Sequence, residues 1–356
     1  MKNKLRTFLT KKLDFGQKLL AIDIGTNSIK FIEFETNRDK KIFKNIGLMA
    51  IETIENLENC NLVEYYKDIL QSAFCKYNIS AKQAIVSISN HHIFFRQVSF
   101  PFMDKQELAD TVKWEHNQYV PFEEETYYFD FAILKEDKIN NEIKLMLVAG
   151  KKEYIDFLTN VFSELSINLL AIEGEVFSLA RVIEDDKNCI LIDIGKEASQ
   201  IIIYQDRVPI IVRNISIGGD YFDQMIAEVC DMDKIEAEYL KKNLGKKNFL
   251  ENNFNTEEVM LRIDKETHKI ITEVIRTIEY YKMQNRNVSI DKIFLCGGGA
   301  KLISLTQNIM SHIEIPVMLL KPEEKIYYDS CFDTNYIKDI SLQFATTIGL
   351  ILRGEK

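Results

Sequence analysis

The chain is predicted to be an α/β protein of two related lobes around a cleft, with a smaller α+β unit in its first half. Three observations predict this. Apolar strand-like runs alternate with amphipathic helices along the 356 residues, and no low-complexity linker divides them. The run LLAIDIGTNSIKFIEF (19–34) breaks an apolar strand with Asp-Ile-Gly and small polar residues. It returns as NCILIDIGKEASQIIIY (188–204), so that Asp23 and Asp193 stand 170 residues apart; a repeat of that kind implies two half-molecules facing each other. Finally, KIFLCGGG carries a strand, Lys292–Cys296, into Gly297, Gly298 and Gly299 ahead of a helix.

The elements follow in order. Residues 1–17 form a basic tail with Lys2, Lys4, Arg6, Lys11 and Lys12; Leu5, Phe8, Leu9 and Leu13 near helical spacing leave open either a frayed end or a lipid-touching segment. Residues 18–80 make the core of the first lobe: strand-like alternation over 19–51, then a helix with Leu62, Tyr65, Ile69, Leu70 and Phe74 along one face. Residues 81–168 read as a compact α+β unit. It holds the strands QAIVSIS, IFFRQVSF and KLMLVAG, the helix KEYIDFLTNVFSELSI, and a helix opened by Asp104 as N-cap with Glu107 three residues on, the capping-box spacing. A connecting helix is expected in 169–190, around GEVFSLARVI. The second lobe spans 191–335, with a helical part interrupted by a polar loop at 246–255, and 336–356 form an apolar helix returning to the first lobe.

A net charge of −9 argues against nucleic acid as the main partner. The six cysteines are scattered with no CxxC pair, as in a reducing compartment, and histidines show no metal-ligand spacing. No apolar run approaches a spanning helix. These observations place the chain in the cytosol.

The repeated turn carries the chemistry. Gly25 and Gly195 let backbone N–H groups approach a ligand closely, and such turns aim N–H groups into an anion-binding concavity. Phosphate would repel Asp23 and Asp193 directly, so their expected role is to hold Mg²⁺ through its waters. Thr26, Asn27 and Ser28 add donors and Lys30 a cation. The three glycines let a nucleotide's sugar and α-phosphate lie on the backbone and the helix N-terminus. Neither GxGxxG nor GxxxxGK[ST] is present, which disfavours dinucleotide and P-loop readings.

Two DIG hairpins followed by strand–GGG–helix resemble the actin-like ATPase superfamily, whose members close two lobes over Mg-ATP. The middle segment FPFMDKQELADTVKWEHNQYVPFEEETYYFDFAIL is similar to the one that marks the PilM family of type IV pilus assembly. AIEGEVFSLAR, IIVRNISIGGDYFDQMIA, IEAEYLKKNLG and FATTIGLILR extend the likeness over 19–353. The resemblance implies an actin-like ATPase fold with an inserted subdomain of the type PilM shares with FtsA. It assigns Asp23, Gly25, Thr26, Asn27, Ser28 and Lys30 to a first phosphate loop, Asp193, Gly195 and Lys196 to a second, and Gly297–Gly299 to an adenosine loop. Glu238 and Lys241 fall where the superfamily reaches ribose and base; an ordinary exposed charge pair fits them as well. Gly218 and Gly219 open a helix beside the second loop, as ligand contacts or as punctuation.

Two departures bear on turnover. Glu197 stands where relatives carry Gly and Thr, and Gly174, between Glu173 and Glu175, occupies the water-positioning site of hydrolysing relatives. ATP binding with weak or absent hydrolysis is the expectation. In the inserted unit, Trp114, Tyr119 and Phe122 are candidate anchors, among surface-prone aromatics that include Tyr127 and Tyr128. The resemblance implies a PilN-like single-span inner-membrane protein as partner, gripped by its cytoplasmic N-terminal segment, with other pilus platform components and self-association as further partners and a peripheral location on the cytoplasmic face. The acidic run Glu123–Glu125 is either a contact for a basic juxtamembrane segment or a solvated charge run. The alternatives are an FtsA-like filament-forming membrane tether, a type II secretion platform protein, and a small-molecule kinase of the same fold.

Overall fold

The computed structural model describes residues 17–37, 40–51, 61–183, 188–245, 255–285, 288–329 and 331–354. The expected basic tail, Cys60 and nearly all of the polar loop at 246–255 lie outside them. The chain divides into two compact units, one running to Ser178 and resuming at Leu350, the other being Leu179–Gly349.

In the first unit, β1 (Lys18–Ile24), β2 (Ser28–Asn37) and β3 (Lys40–Ala50) form an antiparallel meander. Helix α1 (Leu62–Lys76) leads to β4 (Gln83–Ile88). After it come β5 (Ile93–Pro101), α2 (Lys105–Glu115), β6 (Tyr127–Asp137), β7 (Glu142–Lys151), α3 (Lys152–Glu164), β8 (Asn168–Gly174) and α4 (Glu175–Val182). The main sheet carries the order β3-β2-β1-β4-β8, with β4 parallel to both β1 and β8. Apart from Lys18, β1 is buried throughout, which is why it reads as an apolar run up to Asp23. Leu70 and Ala73 of α1 and Leu158, Val161 and Phe162 of α3 pack into the same core.

One fully buried charge is held in this sheet. Glu33 accepts from the N–H groups of Ser80 at 2.7 Å and Ala81 at 2.8 Å and from Asn45 Nδ2 at 2.7 Å. Burial pushes its pKa up, but Ser80, Asn45, Ala81 and Lys18 outweigh burial and hold the carboxyl below its ordinary value.

A separate antiparallel sheet, β5-β7-β6, forms the inserted unit, with its own core of Val98, Phe100, Leu108, Val112, Leu145 and Leu147 among others. The separate sheet therefore occupies 93–151, narrower than the expected 81–168, because β4, α3 and β8 belong to the main core. Apolar alternation marks a strand without saying which sheet it joins. Similarly, 168–174 is strand rather than part of a connecting helix; the helix is the short α4. The last residues of the chain return to the first unit: Lys41 Nζ binds the carbonyls of Arg353, at 2.9 Å, and Ile351, and Arg353 pairs with buried Glu173.

The second unit repeats the first meander. It contains β9 (Asn188–Ile194), β10 (Ser199–Gln205), β11 (Val208–Ile215), α5 (Gly219–Cys230), α6 (Lys234–Asn243), α7 (Thr256–Gln284), β12 (Lys292–Cys296), α8 (Leu305–His312), β13 (Val317–Leu319), α9 (Thr334–Ser341) and α10 (Ala345–Ile351). Its sheet order is β11-β10-β9-β12-β13, with β12 parallel to β9 and β13 and the other pairs antiparallel. Asp23 pairs with Lys30 and Ile24 with Ile29 in one hairpin; Asp193 pairs with Gln200 and Ile194 with Ser199 in the other. Both members of each pair are displaced by the same 170 residues, so the repeat extends through the register of the hairpins.

Candidate nucleotide and partner sites

Each hairpin turn is closed by the same bond. The Gly25 N–H donates to the Ser28 carbonyl at 3.0 Å, and the Gly195 N–H to the Ala198 carbonyl at 3.0 Å. Among the described residues, the N–H groups of Thr26, Asn27, Lys196 and Glu197 find no acceptor, leaving two backbone donors in each loop for an anion. Thr26, Lys196 and Glu197 are exposed.

The first loop is held by charge. Lys30 Nζ lies 3.1 Å from Asp23 Oδ2, and Ser87 Oγ donates to Asp23 Oδ1 at 2.6 Å. Register explains both contacts, since Lys30 is the cross-strand partner of Asp23 on β2 and Ser87 its partner on β4. Ser87 was not singled out from the sequence; its signal is a hydroxyl late in the apolar strand QAIVSIS. Asp23 therefore fits Mg²⁺ held through water better than direct ligation, as both of its oxygens already receive donors. Among the described residues no group of three or more His, Cys, Asp or Glu is placed to hold a metal ion.

The second loop is held by close packing. Gly218 is the N-cap of α5, and a Cβ there would stand 2.4 Å from the Lys196 carbonyl oxygen and 2.7 Å from the Ala198 nitrogen. The N–H groups of Gly219 and Asp220 donate to the carbonyls of Gly195 at 2.9 Å and Lys196 at 2.8 Å, seating the helix start on the loop. Gly297 has φ +86°, and a Cβ there would meet Asp193 Oδ1 at 2.3 Å; one at Gly299 would meet Ile194 Cγ2 at 2.4 Å. A Cβ at Gly298 would meet nothing within 4 Å, so that position is open surface. The glycines enter a 3₁₀ turn, Gly298–Lys301, and α8 begins only at Leu305. The expected glycine-to-helix junction is thus displaced by one short turn.

Lys241 and Glu238 part company. Lys241 Nζ contacts Asp223 Oδ1 at 2.6 Å and donates to the Gly219 carbonyl at 2.8 Å. Asp223 is buried, which pushes its carboxyl up, while Lys241 pulls it down without cancelling the shift. Glu238 pairs one turn on with Lys242 at 2.6 Å, and that bond leads the causes holding its carboxyl low. The exposed i,i+3 pair considered from the sequence is not formed. Asp223 was missed; its signal is the second acid of GGDYFDQ.

The three aromatic anchor candidates separate as well. Trp114 is 81% exposed, whereas Tyr119 and Phe122 are half-buried against the small core, Tyr119 beside Phe100 and Phe122 between Phe94 and Tyr127. Tyr127 is a core residue rather than a surface one: its hydroxyl meets His116 Nδ1 at 2.7 Å, and burial pushes its pKa up. Tyr128 donates to Asp156 Oδ1 at 2.9 Å.

Two duplicated meanders, each with an Asp-Ile-Gly turn, define a protein of the actin-like ATPase fold, and solved structures agree. EutJ from Carboxydothermus hydrogenoformans superimposes with a TM-score of 0.55 at 13% identity, over 98% of this chain and 94% of that one. MreB 5 of Spiroplasma citri bound to AMPPNP gives 0.50 at 13% identity, over 94% and 95%. A PilM–PilN type IV pilus biogenesis complex gives 0.77 at 20% identity, over 96% and 99%. The sequence profile of the type IV pilus assembly protein PilM matches residues 21–355, and the chain belongs to that family. Among the described residues, no helix is long and apolar enough to cross a membrane.

Proposed function

We propose that this protein is an ATP-binding component of a type IV pilus assembly platform, peripheral at the cytoplasmic face of the inner membrane, that grips the cytosolic N-terminal segment of a PilN-like single-span membrane protein. Membership of the PilM family carries this reading, and the likeness to a PilM–PilN complex supports the choice of partner. In each loop the N–H groups without an acceptor are the donors for ATP phosphate, and the loop's Asp, Asp23 or Asp193, is the group for a water of Mg²⁺. Glu173 and Glu175, the carboxylates nearest the water-positioning site of hydrolysing relatives, are already engaged. Glu173 pairs with Arg353, and Glu175 accepts the Asn90 N–H at 3.0 Å. Binding without appreciable turnover follows, with the nucleotide acting as a conformational ligand. Phe122 anchors the peptide, with Tyr119 behind it and Trp114 on the neighbouring helix.

The test is a titration of the full chain with the partner's N-terminal peptide, with and without Mg-ATP. Specific binding that weakens in a folded Phe122→Ala variant supports the reading, and any shift with Mg-ATP measures the coupling between the two ligands. Failure to bind in either state, or ATP turnover with a small-molecule acceptor, overturns it.

A further inference from the structure

Trp114 is the only tryptophan of the chain, and its ring stands in solvent. It lies on α2 opposite Leu108 and Val112, the residues through which that helix enters the small core. Helical spacing puts Glu107, Asp110 and Thr111 on the same outer face. A shallow depression around the indole is rimmed by the carboxylates of Asp104, Glu107, Asp110 and Glu115, and no cation lines it. Asp104 caps α2 through the N–H groups of Gln106 and Glu107, and Asp110 accepts from Gln106 Nε2 at 3.0 Å, bonds that bring no positive charge. Glu107 and Glu115 have no ion-pair partner among the described residues. The reciprocal half of the capping box is missing there too, so the Glu107 carboxylate is left to the face. By contrast, the depression beside Phe122 mixes Lys151 and Lys152 with Glu123, Glu153 and Asp156.

An exposed indole offers apolar area for a partner to bury, and its ring face attracts cations as the surrounding carboxylates do. From this face we infer a docking surface for a basic peptide segment, namely the Lys/Arg-rich stretch beside the membrane span of the partner. Cytoplasmic stretches flanking a span carry an excess of Lys and Arg, the charge that this face lacks. The inference rests on the reading of a single-span membrane partner given above. It moves the acidic contact from Glu123–Glu125, where two lysines share the depression, to α2.

Because Trp114 is the only tryptophan, its emission reports the face directly. The full chain is titrated with acetyl-RKLRKLRK-amide and with the same peptide carrying Gln at every Arg and Lys. The basic peptide is expected to shift Trp114 emission to the blue and protect it from acrylamide, with an affinity that falls as salt rises. A Glu107→Gln/Asp110→Asn variant, altered only on exposed side chains and checked for an unchanged circular dichroism spectrum, is expected to bind about tenfold more weakly. An unmoved Trp114 signal, an equal response to the Gln peptide, or unchanged affinity in the variant overturns the inference. The partner peptide separates the two readings. Binding that depends on Phe122 without a Trp114 response overturns this surface and leaves the proposed function standing. Basic-peptide docking without any partner binding overturns the proposed partner instead.

Discussion

Asp23 and Asp193 occupy the same place in the same hairpin, but their neighbours differ. Lys30 and Ser87 stand opposite Asp23, where Gln200 and Cys296 stand opposite Asp193. Three rungs away, buried Glu33 in the first hairpin is matched by buried Ile203 in the second. The first loop is thus positioned by an ion pair and a hydroxyl, the second by backbone pressed against backbone at Gly218 and Gly297. The charged contact at Asp23 and the close backbone contacts at Gly218 and Gly297 are different physical means of holding a turn. They should fail under different stresses, since contact repulsion is steep in distance and indifferent to salt, and ion pairs are the reverse.

The largest expected effect lies in the second loop. Gly297→Ala and Gly218→Ala should each cost about 3 kcal/mol or more, because the new Cβ meets backbone, the Ile194 or the Lys196 carbonyl, and, at 297, the left-handed φ is strained as well. Gly25→Ala, whose Cβ would stand 3.2 Å from the Ser28 carbonyl, should cost below about 1 kcal/mol. Urea unfolding of the variants measures both, and equal losses would break the contrast.

Lys241→Met should cost about 3 kcal/mol at neutral pH, since it strands buried Asp223. Lys30→Met should cost less, because Ser87 still serves Asp23. The pH dependence sharpens this. The Asp223 carboxyl is already raised, and losing Lys241 raises it further. An acid raised on folding destabilises at high pH, so the deficit should shrink as pH falls through the folded value and vanish below the unfolded one. A deficit independent of pH in thermal melts would contradict this account.

Glu33→Gln comes next, at about 2 kcal/mol near neutrality. Its folded pKa is lowered, so its contribution is present above the ordinary carboxyl value and lost as pH falls through the folded one. The variant should therefore lose part of the acid-unfolding limb of the first unit, where Ile203 gives the second unit none. Ser87→Ala should cost about 1 kcal/mol. Smallest of all, Trp114→Ala should change stability by less than about 0.5 kcal/mol, so that any binding defect it shows belongs to the surface.

What was legible in the sequence was local. Asp-Ile-Gly followed by small polar residues states its own turn, and Asp104 caps α2 from within a few residues. The repeat was legible because both turns lie in apolar strands with the same spacing. What was not legible depends on partners far along the chain. Lys241 reaches Asp223 only when α5 and α6 pack, Tyr127 is buried because α2 and its following turn cover the small sheet, and 168–174 becomes strand by pairing with β4. Trp114 and Phe122 belong to one aromatic-rich segment, and only the fold separates the exposed ring from the half-buried one.

The return of residues from Leu350 to the first unit has a consequence for synthesis. That unit begins to emerge first and can be completed only last, after all of Leu179–Gly349 has left the ribosome. At ~5–20 residues per second the wait lasts roughly ten to thirty seconds. Throughout it Glu173 has no Arg353 and Lys41 has no terminal carbonyls to hold. The contiguous second unit can mature first, and the nascent first unit is the part that a chaperone would have to shelter.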